Sequence, residues 1–203
     1  MYMDRRFFRR LPACTLIIAA SISASGCATA YVDGALKDIR PAEIHSPLRP
    51  QDAQLLFTFQ TKGTGNAKAT ELLRKDVMAA ITDSGVFATT GSDPSLSGAI
   101  LSITINNVPL DDSAFAKGFA TGLTLGLAGN VVTDGYVCTV NFITPKGTKI
   151  TKTARHAIHT TMGAKGAPAN AVKAKSLDEA VHTMTRQVVL AGLKNLADDA
   201  AFQ

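Results

Sequence analysis

The chain has 203 residues, 46% of them hydrophobic and 18% charged, with a formal net charge of +5 at pH 7. That is room for one ordinary domain with a real core and a short extension. Taking away the four arginines and one aspartate of the first 26 residues lowers the net charge from +5 to +2, and no basic run is left, so charge gives nucleic-acid binding no support.

In chain order, the opening residues carry the parts of an export signal. Arg5, Arg6, Arg9 and Arg10 form a basic head, Leu11 to Ala24 an apolar run broken by Pro12, and Ala24-Ser25-Gly26-Cys27 a small-residue end. The run is shorter than the roughly 20 apolar residues of a spanning helix. The stretch LIIAASISASGC, Leu16 to Cys27, resembles the bacterial lipobox, although Ala24 stands where that family usually has Leu. The resemblance implies that residues 1–26 are a signal peptide that is cut away. It also implies that the Cys27 thiol carries diacylglycerol and palmitate-like chains. One acyl chain anchors marginally and two or more hold firmly, so such a cysteine moors a domain without a spanning helix. In that family Asp after the cysteine retains the protein in the inner membrane. Here Ala28 and Thr29 follow, which implies the outer membrane, facing the periplasm, with surface exposure open. Arg5-Arg6-Phe7-Phe8 also looks like the twin-arginine export motif, but arginine pairs equally serve as plain charge, and both export routes stay open.

Of the three cysteines, the lipobox resemblance implies that Cys14 leaves with the leader and that Cys27 is acylated. Cys138 alone is left, which excludes an internal disulfide and cysteine-pair zinc sites. Cys138 sits in an alternating strand pattern and is read as buried and inert. Residues 27–53 hold few large apolar residues but include Pro41, Pro47 and Pro50, and read as a lipidated tether to a domain over 54–203. Leu55 to Phe59 reads as a strand. The Lys62-Gly63-Thr64-Gly65-Asn66 stretch has a Gly-x-Gly like a dinucleotide loop. Lys68 stands where the third glycine belongs, so it reads as a turn with Asn66 capping a helix.

That helix is expected over Ala67 to Ser84, with Ala69, Leu73, Val77, Ala80 and Ile81 as its buried stripe and Gly85 as its stop. Val86-Phe87 reads as a short extended piece and Gly91 to Gly98 as a loop. In Ala99 to Asn107, Leu101, Ile103 and Ile105 alternate with Ser102, Thr104 and Asn106, which predicts a strand with one buried face.

The stretch Ala114 to Val132 is least like an ordinary domain. Its one charge is Lys117, and Gly118, Gly122 and Gly126 recur every four residues, with Phe119, Leu123, Leu125 and Leu127 around them. On a helix these glycines would share the small-residue face of packed membrane helices. Three readings stay open: a connection buried on the core, a segment that docks a partner or lipid, or one that enters the membrane on oligomerisation.

Tyr136 to Ile143 and Ile150 to Thr161 predict an antiparallel hairpin about Thr144-Pro145-Lys146-Gly147. His156 and His159, three apart, fall on opposite faces of the second strand and cannot share a metal. With His45 and His182 they are read as surface histidines. Met162 to Lys175 reads as a loop. Ser176-Leu177-Asp178-Glu179 matches a capping box opening a helix to about Asp198. Its stripe of Val181, Met184, Val188 and Ala191 should lie on the sheet.

These elements predict an α+β fold, β-α-β-β-β-α, with a single mixed or antiparallel sheet, two helices packed on one face and a Gly-rich hydrophobic connection before the final hairpin. The piece Leu72 to Asn107 runs from a helix through Ser84-Gly85-Val86-Phe87 and a polar loop to Ile100-Leu101-Ser102-Ile103-Thr104-Ile105. It resembles the small domain of several envelope lipoproteins: the curli export-channel lipoprotein, the lipoprotein activator of a penicillin-binding protein, and the amino-terminal domain of the Tol propeller protein. Gly122 to Leu127 is similar to a Gly-Leu-Thr-Leu-Gly-Leu stretch found before the hairpin in other lipoproteins. The resemblance implies an accessory or assembly role, with an envelope protein partner or self-association, or membership of an oligomeric export pore. An enzyme needs a positioned base with a nucleophile or metal. The chain shows no Ser-centred elbow, no paired-His motif and no thiol–His pair. The expectation is no catalysis, cofactor, metal or small-molecule substrate; a carboxylate grouped with His156 or His159 would reopen it.

Overall fold

The computed structural model describes residues 28–110, 131–162 and 169–202. Among the described residues the strands are β1 (Ala28–Val32), β2 (Ala53–Thr61), β3 (Thr64–Gly65), β4 (Thr90–Gly91), β5 (Ile100–Pro109), β6 (Val131–Ile143), β7 (Lys149–Met162) and β8 (Val172–Lys173). The helices are α1 (Ala67–Ser84) and α2 (Leu177–Ala197), with a single 3-10 turn at Pro41–Glu43. The sheet runs β3-β2-β5-β6-β7-β1-β8, with β4 beside β2. β2 pairs in parallel with β5 and β4, and the other pairings are antiparallel. The fold is α+β: a mixed open sheet with both helices on one face.

The alternation read from the sequence is what builds that face. Leu55, Phe57 and Phe59 of β2, Leu101, Ile103 and Ile105 of β5, and Tyr136, Cys138, Val140 and Phe142 of β6 all lie in one core with the helix stripes. Each fully buried Val, Leu, Ile or Phe there contributes about 1.5–3 kcal/mol. From α1 come Leu73, Val77, Ala80 and Ile81, and from α2 Met184, Val188, Val189, Leu193 and Leu196. Phe87, Phe142 and Phe202 stack in tilted and edge-on contacts, with centroids 5.1–5.9 Å apart, and close the core at the carboxyl end.

Caps fix the helix ends. Asn66 Oδ1 accepts from the Ala69 amide at 3.0 Å, and Gly85 ends α1 in the left-handed conformation at φ 65°. Ser176 Oγ accepts from the Glu179 amide, but the Glu179 carboxylate reaches the amide of Lys175 rather than that of Ser176, one residue further back than the capping-box pattern. Lys62 and Gly63 both have positive φ, 52° and 80°, which is what a two-residue type I′ turn needs. The Gly-x-Gly is therefore the hairpin between β2 and β3, with Thr61 opposite Thr64.

Three expectations are corrected. Ala28–Val32 belongs to the sheet rather than to a tether. Ala30 and Val32 are buried among core residues, and the strand fills the edge that β7 would otherwise leave open. Val86-Phe87 is a buried bend rather than an extended piece, and the strand that follows, β4, starts at Thr90. His156 and His159 are not on the surface; both are fully buried.

Candidate functional site

Cys27 and the expected contact residues Gly118, Phe119, Gly122, Leu123, Leu125, Gly126 and Leu127 lie outside the described residues. Their flanks are described, and they converge. Ala28 opens β1, Val131 opens β6 and Met162 closes β7. In register, Ala28 faces Met162, Val131 faces Thr161 and Val132 faces Thr160. Three strand ends thus lie side by side, and the residue next to Cys27 is in one of them.

A second site was not foreseen from the sequence. Thr133, His159 and Tyr31 stand opposite one another on β6, β7 and β1. Asp33, just past β1, lies two residues beyond Tyr31 and so on the same side. His159 Nε2 meets Asp33 Oδ2 at 2.9 Å, and His159 Nδ1 meets Thr133 Oγ1 at 2.9 Å. An ionised carboxylate can only accept, so Nε2 carries the proton. Asp33 Oδ1 accepts from the Ala35 amide at 2.7 Å. Beside it, a Cβ on Gly34 would sit 1.9 Å from the Asn170 carbonyl oxygen, so only glycine lets the chain past.

His156 points to the other face, toward α2. Its Nδ1 accepts the Ala157 amide at 2.9 Å, so Nε2 is the donor to Gln187 Oε1 at 2.7 Å. Burial holds this imidazole below its ordinary value of 6.5, against the upward pull of Gln187 and Asp33. A cavity of about 290 Å³ is walled by Asp33, Gln187, Glu179, Thr183, Lys37 and Lys173. Its walls carry charges of both signs and favour no one class of ligand.

The Asp33–His159–Thr133 chain has the donor order of a nucleophile, base and orienting acid. Its burial argues for a different use. Asp33 is 1% exposed, His159 0% and Thr133 8%. So buried a hydrogen-bond chain, running across three strands, holds β1 to β7 and β6. His45 is exposed and pairs with Asp198, and His182, half-buried, reaches Asp76 at 2.7 Å across the two helices. Among the described residues no group of three or more His, Cys, Asp or Glu could hold a metal ion, and no helix is long and apolar enough to cross a membrane. Cys138 is buried, and burial pushes its thiol up to about 12, which makes it a poor nucleophile.

No family model matches the chain. No curated protein matches it either. Among solved structures, a PelC dodecamer from Paraburkholderia phytofirmans is similar at 13% identity and a TM-score of 0.35, covering 83% of this chain and 98% of that one. A second PelC dodecamer structure from that organism gives 11% identity and 0.35 over 74% and 91%. A protein named as a homologue of neuraminyllactose-binding hemagglutinin from Helicobacter pylori gives 10% and 0.36 over 77% and 92%. Likenesses this remote transfer neither an assembly nor a ligand.

Proposed function

We propose that this chain is a lipid-anchored accessory or assembly factor of the bacterial cell envelope, held at the outer membrane by an acylated Cys27 and acting by contact rather than by catalysis. One observation carries the reading: a lipobox-like stretch ends at Cys27, and the next residue already belongs to the sheet. The folded unit therefore starts where the anchor would end. The enclosed Asp33–His159–Thr133 chain supports a structural use for the grouping that, among the described residues, resembles a catalytic constellation.

The test is intact-mass analysis of the native protein with metabolic labelling by a palmitate analogue. The expected product begins at Cys27, carries the mass of acyl chains and takes up label, and Cys27→Ser abolishes the labelling. An unmodified leader, or an amino terminus elsewhere without acyl groups, overturns the reading. Native mass measurement in detergent then separates a monomeric factor from a pore subunit.

A further inference from the structure

The end of the sheet that would adjoin the anchor is chemically unlike the other end. Paired residues on neighbouring strands point to the same face, as do residues two apart on one strand. Ala28, Met162, Thr160 and Val132 therefore share the face that carries the helices. Further in, that face is covered: Ala30, Ile158 and Tyr136 are 6%, 0% and 6% exposed. At the end it is bare, with Met162 53% and Val132 52% exposed. None of Ala28–Ala30, Val131–Thr133 or Thr160–Met162 is charged. Among the described residues of β6 and β8, the next charges are Asp134, further in on β6, and Lys173 on β8, which faces Tyr31. The opposite end is the hairpin turn, with Lys146 and Lys149 exposed. At about 3.3 Å per residue, β7 separates the two ends by roughly 40 Å.

We infer that the Ala28–Val132–Met162 ledge is a membrane-contact surface, seated in the interfacial layer of a phospholipid bilayer. The inference rests on the lipid-anchor reading. Consecutive Cα atoms are about 3.8 Å apart, so a diacylglycerol on Cys27 would be attached one residue from Ala28. Because Ala28 is paired with Met162, no slack separates the anchor from the rigid sheet. The anchored domain then has one way to stand, with its uncharged strand ends against the lipid and the lysine-bearing turn pointing away.

The test uses the acylated chain in phosphatidylcholine–phosphatidylglycerol vesicles, with nitroxide labels on Val132→Cys, Met162→Cys and, as an aqueous reference, Thr148→Cys. Cys138 is buried and does not compete for label. Paramagnetic accessibility to oxygen and to a polar nickel chelate is then read at each site. The expected result is an oxygen-to-nickel ratio several-fold higher at 132 and 162 than at 148. A chain that floats with the vesicles but gives the aqueous ratio at all three sites overturns the ledge and leaves the anchor standing. A chain without acyl groups that fails to float overturns both. Protection of 132 and 162 in intact cells but not in vesicles overturns lipid as the occupant, in favour of a protein.

Discussion

The Asp33–His159 pair offers a quantitative test, because another aspartate contact of similar length occurs exposed elsewhere in the molecule. Asp33→Ala removes the acceptor of His159 Nε2 and of the Ala35 amide. His159 is fully buried and cannot turn to water for a replacement. Breaking a buried pair from one side costs about 3–5 kcal/mol, mostly through the partner left unsatisfied. The reference is Asp83→Ala, which breaks the Arg186–Asp83 contact of 2.7 Å, where the two side chains are 41% and 47% exposed. Solvent screening limits that pair to about 0–1 kcal/mol. In a chain of this size, each kcal/mol moves the melting temperature by about 2–4 °C. Asp33→Ala should therefore lower it by roughly 6–20 °C and Asp83→Ala by no more than about 4 °C. Urea titration gives the free energies directly, and equal slopes in the two variants would show that the unfolded states match. If both substitutions cost less than about 1 kcal/mol, the buried chain does not hold β1, and the structural reading of the triad fails.

His156 is held below its ordinary value by burial, so the unfolded chain takes up its proton first as pH falls. Its contribution to stability should be full above 6.5 and should fall as pH drops below that value. A urea midpoint series from neutral to acid should show a shallower fall in His156→Leu than in the parent chain. Gly192 lies in α2, and a Cβ there would come 2.7 Å from Val140 Cγ2. Gly192→Ala gains about 1 kcal/mol of helix propensity but overpacks a stiff β-branched neighbour by about 1–3 kcal/mol. A net loss is expected, and the added cost should shrink when Val140→Ala is combined with it in a double-mutant cycle. Cys138 should resist a thiol reagent in the folded chain and react on addition of denaturant, at a rate that follows unfolding.

Much of the fold was legible because its strong elements are periodic. α1 lies where its stripe, its Asn66 cap and Gly85 place it, and the alternation of β5 and β6 gives the core face directly. β1 was hidden because five residues with few large side chains carry too little pattern. The two-residue strands β3, β4 and β8 depend on neighbours for their existence. The burial of the two histidines was not legible, because an alternating antiparallel strand ordinarily keeps one wet face. β7 from His156 to Ile158 and His159 is buried on both. One signal did point the other way: after Arg155 the strand runs to Met162 without a charge, as a strand covered on both faces would. Asp33 could not be paired with His159 by spacing, since only the long-range return of β1 brings them together.

The place of β1 in the sheet also fixes an order of assembly. It precedes the other described strands in the chain, yet Ala28 must wait for Met162 before it has a partner. Closing so long a loop costs roughly 4 kcal/mol of chain entropy before the pairing returns anything. The nascent β7 therefore presents a free backbone edge until β1 comes back to it, and any chaperone guarding this protein has that edge to shield.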